Sequence, residues 1–133
     1  MKTTAIALAT AAALLGAPVA YAKPKMSGEE QLAKILEGRV AGEPVDCISL
    51  WDARNSRVID KTAIVYDAGS VIYVNRPYNA DQLNDNDVMV HKTSTNELCG
   101  VDIITTHDNS QFFQTGVVSL GKFVPYRRIA KAD

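Results

Sequence analysis

Thr62-Ala63-Ile64-Val65-Tyr66-Asp67-Ala68-Gly69-Ser70-Val71-Ile72-Tyr73-Val74-Asn75 is the stretch that decides the fold. Two runs of β-branched and aromatic residues, which suit a pleated and half-buried surface, flank Asp67-Ala68-Gly69-Ser70. Gly69 can take the positive φ of a type I turn followed by a bulge, so Thr62 to Asp67 and Val71 to Asn75 are expected to form an antiparallel hairpin. Arg76-Pro77 ends the second strand, because proline has no N–H for a ladder and restricts the residue before it.

Outward from the hairpin the β pattern repeats. Val45 to Trp51 and Arg57 to Asp60 read as strands before it; Val88 to Lys92, Gly100 to Thr106 and Val117 to Tyr126 follow, the last bent at Gly121 or stopped by Pro125. The segment ahead of them is helical. Ser27-Gly28-Glu29-Glu30 has capping-box spacing, and Leu32, Ile35 and Leu36 share one face, so a helix is expected to run from Ser27 to near Arg39–Ala41, before Gly42 and Pro44. Tyr78 to Asp87 reads as a polar surface loop with one helical turn around Asp81-Gln82-Leu83. The expected class is α+β, mostly antiparallel β: an N-terminal helix packed on a small open sheet or a partly closed β-barrel of about seven short strands. Neither an alternating βα pattern nor an internal repeat is present.

Composition sets the outer bounds. The chain has 133 residues, 47% hydrophobic and 22% charged, with a formal net charge of −1. These values fit one globular domain and exclude a disordered or collagen-like chain. Without a basic excess, nucleic acid is not an expected partner.

Residues 1–22 read as a cleaved secretory signal peptide. Lys2 supplies a positive end, Ala5 to Leu15 an apolar core, and Ala20-Tyr21-Ala22 small residues before a cut between Ala22 and Lys23. A spanning helix is the competing reading, but eleven residues reach only about 16 Å of a hydrocarbon core roughly 30 Å thick. The expected organisation is therefore a signal over residues 1–22, a flexible lead over 23–26, one domain over 27–126 and a flexible basic tail over 127–133. No transmembrane segment remains after signal removal, and the expected localisation is periplasmic or secreted.

Cys47 and Cys99 are the only cysteines. Export to an oxidising compartment leaves them one intramolecular pairing, closing a loop of about 50 residues that is worth roughly 4 kcal/mol in the loop-entropy model. A metal pair, a reactive thiol and two separate buried cysteines are the alternatives. A zinc site would want four close ligands, and neither C-x-x-C nor a His doublet accompanies these two.

Candidates for chemistry are few. Asp81, Asn84, Asp85, Asn86 and Asp87 offer oxygens, yet the Gly and terminal Glu of a calcium loop are missing, so a solvated turn is expected and no metal is assigned. His91 and His107 are the only imidazoles, with Asp87, Asp102 or Asp108 as possible orienting acids. No Gly-x-Ser-x-Gly elbow accompanies them, and neither catalytic residue nor cofactor is assigned. Trp51, Tyr78, Phe112 and Phe113 form a candidate binding surface, with one ring of the Phe pair expected to pack inward. Arg127, Arg128 and Lys131 would give a weak contact to an anionic surface.

Cys47-Ile48-x-Leu50, Arg57-Val58-Ile59-Asp60-x-Thr62, Val74-Asn75-Arg76-Pro77, Leu98-Cys99-x-x-Asp102 and Leu120-Gly121-x-Phe123-Val124-Pro125-Tyr126 together make residues 38–126 resemble a family of small exported bacterial proteins of unknown function. The resemblance implies an exported, cysteine-paired single domain. The expected function is a non-catalytic binding or structural module that meets an envelope protein or a small ligand. The alternative is a small exported hydrolase or metal-dependent enzyme built on His91 or His107 and nearby carboxylates.

Overall fold

The computed structural model describes residues 15–19, 21 and 23–130. Most of the expected signal, its cleavage residue Ala22 and the tail residue Lys131 lie outside the described residues. Among the described residues no helix is long and apolar enough to cross a membrane.

Helix α1 (Gly28–Ile35) starts as the spacing predicts. The Ser27 hydroxyl accepts the Glu30 N–H at 3.2 Å and the Glu30 carboxylate accepts the Ser27 N–H at 2.7 Å, so two donors at the helix start are satisfied reciprocally. The helix ends earlier than expected. Gly38 adopts φ +73°, the chain turns, and Arg39–Ala41 becomes strand β1, because its backbone pairs with Tyr126 to Arg128. A tertiary ladder overrides the local continuation of the helix.

Nine further strands follow: β2 (Cys47–Ser49), β3 (Ser56–Ile59), β4 (Ala63–Asp67), β5 (Val71–Asn75), β6 (Asp87–His91), β7 (Glu97–Cys99), β8 (Ile103–Asp108), β9 (Gln114–Ser119) and β10 (Phe123–Arg128). They form a five-stranded sheet in the order β1-β10-β5-β4-β3, a pair β2-β7 and a three-stranded sheet β6-β8-β9. Among the described residues neighbours are antiparallel throughout and none of the sheets closes into a barrel, so the mostly antiparallel α+β class holds, while three open sheets stand where one small sheet or a partly closed barrel was expected.

Ten strands among the described residues replace the expected seven or so for identifiable reasons. The single run Val117 to Tyr126 is two strands, since the chain leaves the three-stranded sheet after Ser119 and joins the five-stranded sheet at Phe123. Pro125 does not stop β10. Phe123 exchanges both backbone hydrogen bonds with Val45, so alternation points the imino side of Pro125 toward the same edge, away from its β5 partner Tyr73, and no β5 bond is lost. Arg127 and Arg128 continue that strand opposite Val40 and Arg39 and are therefore not part of a flexible tail.

The expected hairpin forms between β4 and β5, with Gly69 at φ +88° and the Asp67 carboxylate accepting its N–H at 2.9 Å. β4 is buried on both faces, which is why it reads as an unbroken apolar run. Ala63 and Val65 pack toward Leu32 of α1, together with Ile59, Ile72 and Val74. Ile64 and Tyr66 face the other way into a cluster with Ile48, Leu98, Ile104, Val118, Leu120 and Phe123, which joins the three sheets. Tyr66 meets Phe123 edge to face at a centroid distance of 5.7 Å, and burial pushes its hydroxyl well above the usual tyrosine range.

Candidate functional site

The Cys47–Cys99 disulfide joins β2 to β7, with the two residues directly opposite each other. The Gly100 N–H donates to the Asp46 carbonyl at 2.7 Å, which places the cysteines at a non-hydrogen-bonded pair of the ladder, where strands approach most closely. Their Cα atoms are 4.0 Å apart. The bridge lies against a concavity of about 430 Å³, within the size range of small-ligand pockets.

The walls of this concavity are brought together by two glycines. A Cβ on Gly100 would sit 2.6 Å from the Gly121 carbonyl oxygen, and one on Gly121 would sit 2.8 Å from the Arg76 carbonyl oxygen. Only residues without a side chain let these three backbone segments touch. Asn75, fully buried at the end of β5, holds Gly121 in place: its Nδ2 donates to the Gly121 carbonyl at 2.7 Å and its Oδ1 accepts the Gly121 N–H at 2.9 Å. Tyr78 and Val101 supply apolar area at the mouth, with relative exposures of 85% and 90%. Asp46 and Lys122 also line the cavity and meet at 3.4 Å as a solvent-exposed ion pair.

Of the acids considered for His91, the structure brings Asp102 to it. His91 Nε2 lies 3.4 Å from Asp102 Oδ2; the separation suits an ion pair of a protonated imidazole, while the alignment does not make a hydrogen bond. The same Asp102 oxygen accepts the Cys99 N–H at 2.7 Å, so this carboxylate braces the turn that leaves the disulfide. His107 is on the opposite face of the three-stranded sheet, where Nε2 is 3.1 Å from the Thr105 hydroxyl and Nδ1 is 3.3 Å from the Phe112 carbonyl. Asp108 turns its carboxylate to Ser110 and Gln111, and the Ser110 hydroxyl, followed by the Gln111 and Ser110 N–H groups, holds it below the usual carboxylate range. Asp87 accepts the Thr115 hydroxyl at 2.5 Å.

Cys47, Cys99 and Glu97 form a trio whose potential ligand atoms lie within 4.8 Å of one another. Both sulfurs are bonded to each other, so this trio offers no thiolate. In the Asn/Asp loop, Asn84 Oδ1 accepts the Asn86 N–H at 3.0 Å, the local backbone capping expected of a turn.

The four aromatic candidates do not share one site. Tyr78 lines the concavity beside the disulfide, whereas Trp51 lines a separate hollow with Asp52, Asn55 and Asp67 and is covered by the Arg54 guanidinium 3.5 Å from its ring centroid. Phe112 and Phe113 are both exposed, so the inward-packing ring is corrected. Their loop lies beyond the Gln114–His107 pair that ends the β8–β9 ladder, and Phe112 takes the left-handed φ of +57° in a turn wound around Asp108. Sequence reasoning missed Val101, Gly100, Gly121, Asp46 and Lys122. A Gly directly after Cys99 and an apolar residue inside a turn were the available signals, and neither says which distant segment approaches. Comparison with protein-family models, curated proteins and solved structures yields no match to this chain.

Proposed function

We propose that the chain is an exported, non-catalytic binding module that receives an apolar group of an envelope partner or a small ligand in the concavity over the Cys47–Cys99 bridge. The carrying observation is that concavity, with exposed Tyr78 and Val101 at its mouth and its back held by the Asn75–Gly121 clamp. Binding sites are mostly apolar and largely pre-formed, with a few polar groups to orient the ligand, and Lys122 and Asp46 fill the latter role. The apolar stretch and small-residue cleavage pattern within residues 1–22 and the disulfide support delivery to an oxidising compartment.

Anilinonaphthalene sulfonate, which pairs apolar rings with one anion, is a suitable probe. It is expected to bind the native protein saturably, with loss of binding in Val101→Asp and weakening in Lys122→Ala. Binding unchanged in both variants refutes the site. The hydrolase reading is favoured by one observation, the His91–Asp102 approach of 3.4 Å. Turnover of generic ester, peptide, glycoside or phosphate substrates, abolished in His91→Ala, would replace the proposed reading with that one.

A further inference from the structure

Strand β6 is an edge of the three-stranded sheet, and its sequence reads Asp87-Val88-Met89-Val90-His91. The direction of its backbone groups follows from the ladder. The Leu120 N–H donates to the Asp102 carbonyl, and the Asp108 N–H to the Phe113 carbonyl, which makes Ile103–Ser119 and His107–Gln114 non-hydrogen-bonded pairs between β8 and β9. Ile103, Thr105 and His107 therefore turn their backbone groups toward β6, where Val88 and Val90 lie opposite His107 and Thr105. Val88 and Val90 are used by β8, and Met89 and His91 point theirs to the open side. A cleft of about 430 Å³, lined by Arg57 and Val58 of β3 and by Asp87, Val88 and Met89 of β6, keeps β3 from covering that edge. Unpaired edges of this kind are templates for another strand.

The five residues are chemically palindromic. Turned by a two-fold axis through Met89, the strand places Asp87 opposite His91 of the second copy, Val88 opposite Val90, and Met89 opposite itself. The open-side backbone groups of Met89 then fall at a hydrogen-bonded pair, as an antiparallel ladder requires. Asp87 and His91 fall opposite each other at each end, their side chains already turned to Thr115 and Asp102 of their own copy, so the valines, exposed at 38% and 36%, carry the join as an apolar row. We propose that two copies of this chain associate through β6, antiparallel about Met89, merging two three-stranded sheets into one of six strands. The interface is isologous and closed, so it yields a dimer and not a filament.

Sedimentation velocity on the exported chain beginning at Lys23, over a wide concentration range, tests this. The expected result is a reversible monomer–dimer equilibrium. Val90→Lys sets a charge against Val88 of the second copy at two symmetric positions, which is expected to weaken the dimer about tenfold. Adding Val88→Glu provides a carboxylate opposite each new lysine and is expected to restore wild-type affinity. Met89→Pro removes an N–H that β8 does not use and is expected to leave only monomer. Should Met89→Pro not fold, the valine pair still decides, because both side chains are outside the packed clusters. A monomer at concentrations up to about 1 mM overturns the proposal. So does a dimer that is indifferent to Val90→Lys, or one that Val88→Glu with Val90→Lys does not recover.

Discussion

Replacing Asn75 by alanine is expected to cost about 4 kcal/mol of stability. Asn75 is completely buried and makes two hydrogen bonds, of 2.7 and 2.9 Å, to the carbonyl and N–H of Gly121. Truncation leaves both groups of Gly121 in a close-packed setting without their partner, since a Cβ on Gly121 would meet the Arg76 carbonyl oxygen at 2.8 Å. Each stranded buried polar group costs roughly 1–3 kcal/mol, and two of them give the stated sum. For a domain near 100 residues the melting temperature should fall by about 20 °C. Guanidinium denaturation followed by circular dichroism measures the free energy, and the melting curve gives an independent value. Asn75→Asp is the informative comparison: it keeps the acceptor for the Gly121 N–H but sets a carboxylate against the Gly121 carbonyl, so it should be less harmful in acid, where a protonated carboxyl donates again. A loss below about 1 kcal/mol for Asn75→Ala would refute the reasoning, because the clamp would then have no energetic role.

Removing the bridge with Cys47→Ser and Cys99→Ser together is expected to cost about 2–4 kcal/mol, and reduced wild-type protein should melt with the double variant. Gly100→Ala forces a Cβ to 2.6 Å from the Gly121 carbonyl oxygen, so denaturation should report a loss of roughly 1–3 kcal/mol, with weaker dye binding at the concavity. Glu29 and Arg76 tie α1 to the end of β5 through two hydrogen bonds of 2.6 and 3.0 Å, and the Arg76 hydrogen bond holds the Glu29 carboxyl below its ordinary range. That contribution is complete above the ordinary glutamate pKa and is lost as pH falls through the depressed folded value. Both side chains are more than half exposed, so Glu29→Gln should cost no more than about 0.5 kcal/mol at neutral pH, less in high salt and nothing in strong acid. Denaturant titrations at several pH values measure it.

Local chemistry makes much of the scaffold legible from adjacent residues alone. The Ser27–Glu30 capping box, the Gly69 turn and the unbroken apolar run of β4 each carry their geometry in a few neighbouring positions. The strands that sequence reasoning misses are of another kind. β1 and β7 have three residues each and exist because Arg128–Tyr126 and Ile48 with its neighbours present backbone groups to them. The single run ending in Pro125 becomes two strands because two different sheets claim its halves. Short-range pattern carries nothing about a partner about fifty or nearly ninety residues away, and the aromatic candidates scatter for the same reason.

What the sequence by itself determined was the helix start, the central hairpin and the identity of the only sulfur pair. Those rest on turn chemistry, side-chain alternation and counting. Only the tertiary structure decided that the bridge lines a concavity, that Asp102 and not Asp87 or Asp108 faces His91, and that β6 leaves one edge unpaired. Each of these depends on how segments approach through space, and such approach is fixed by close packing of backbone on backbone, as at Gly100 and Gly121, where the deciding feature is the absence of a side chain.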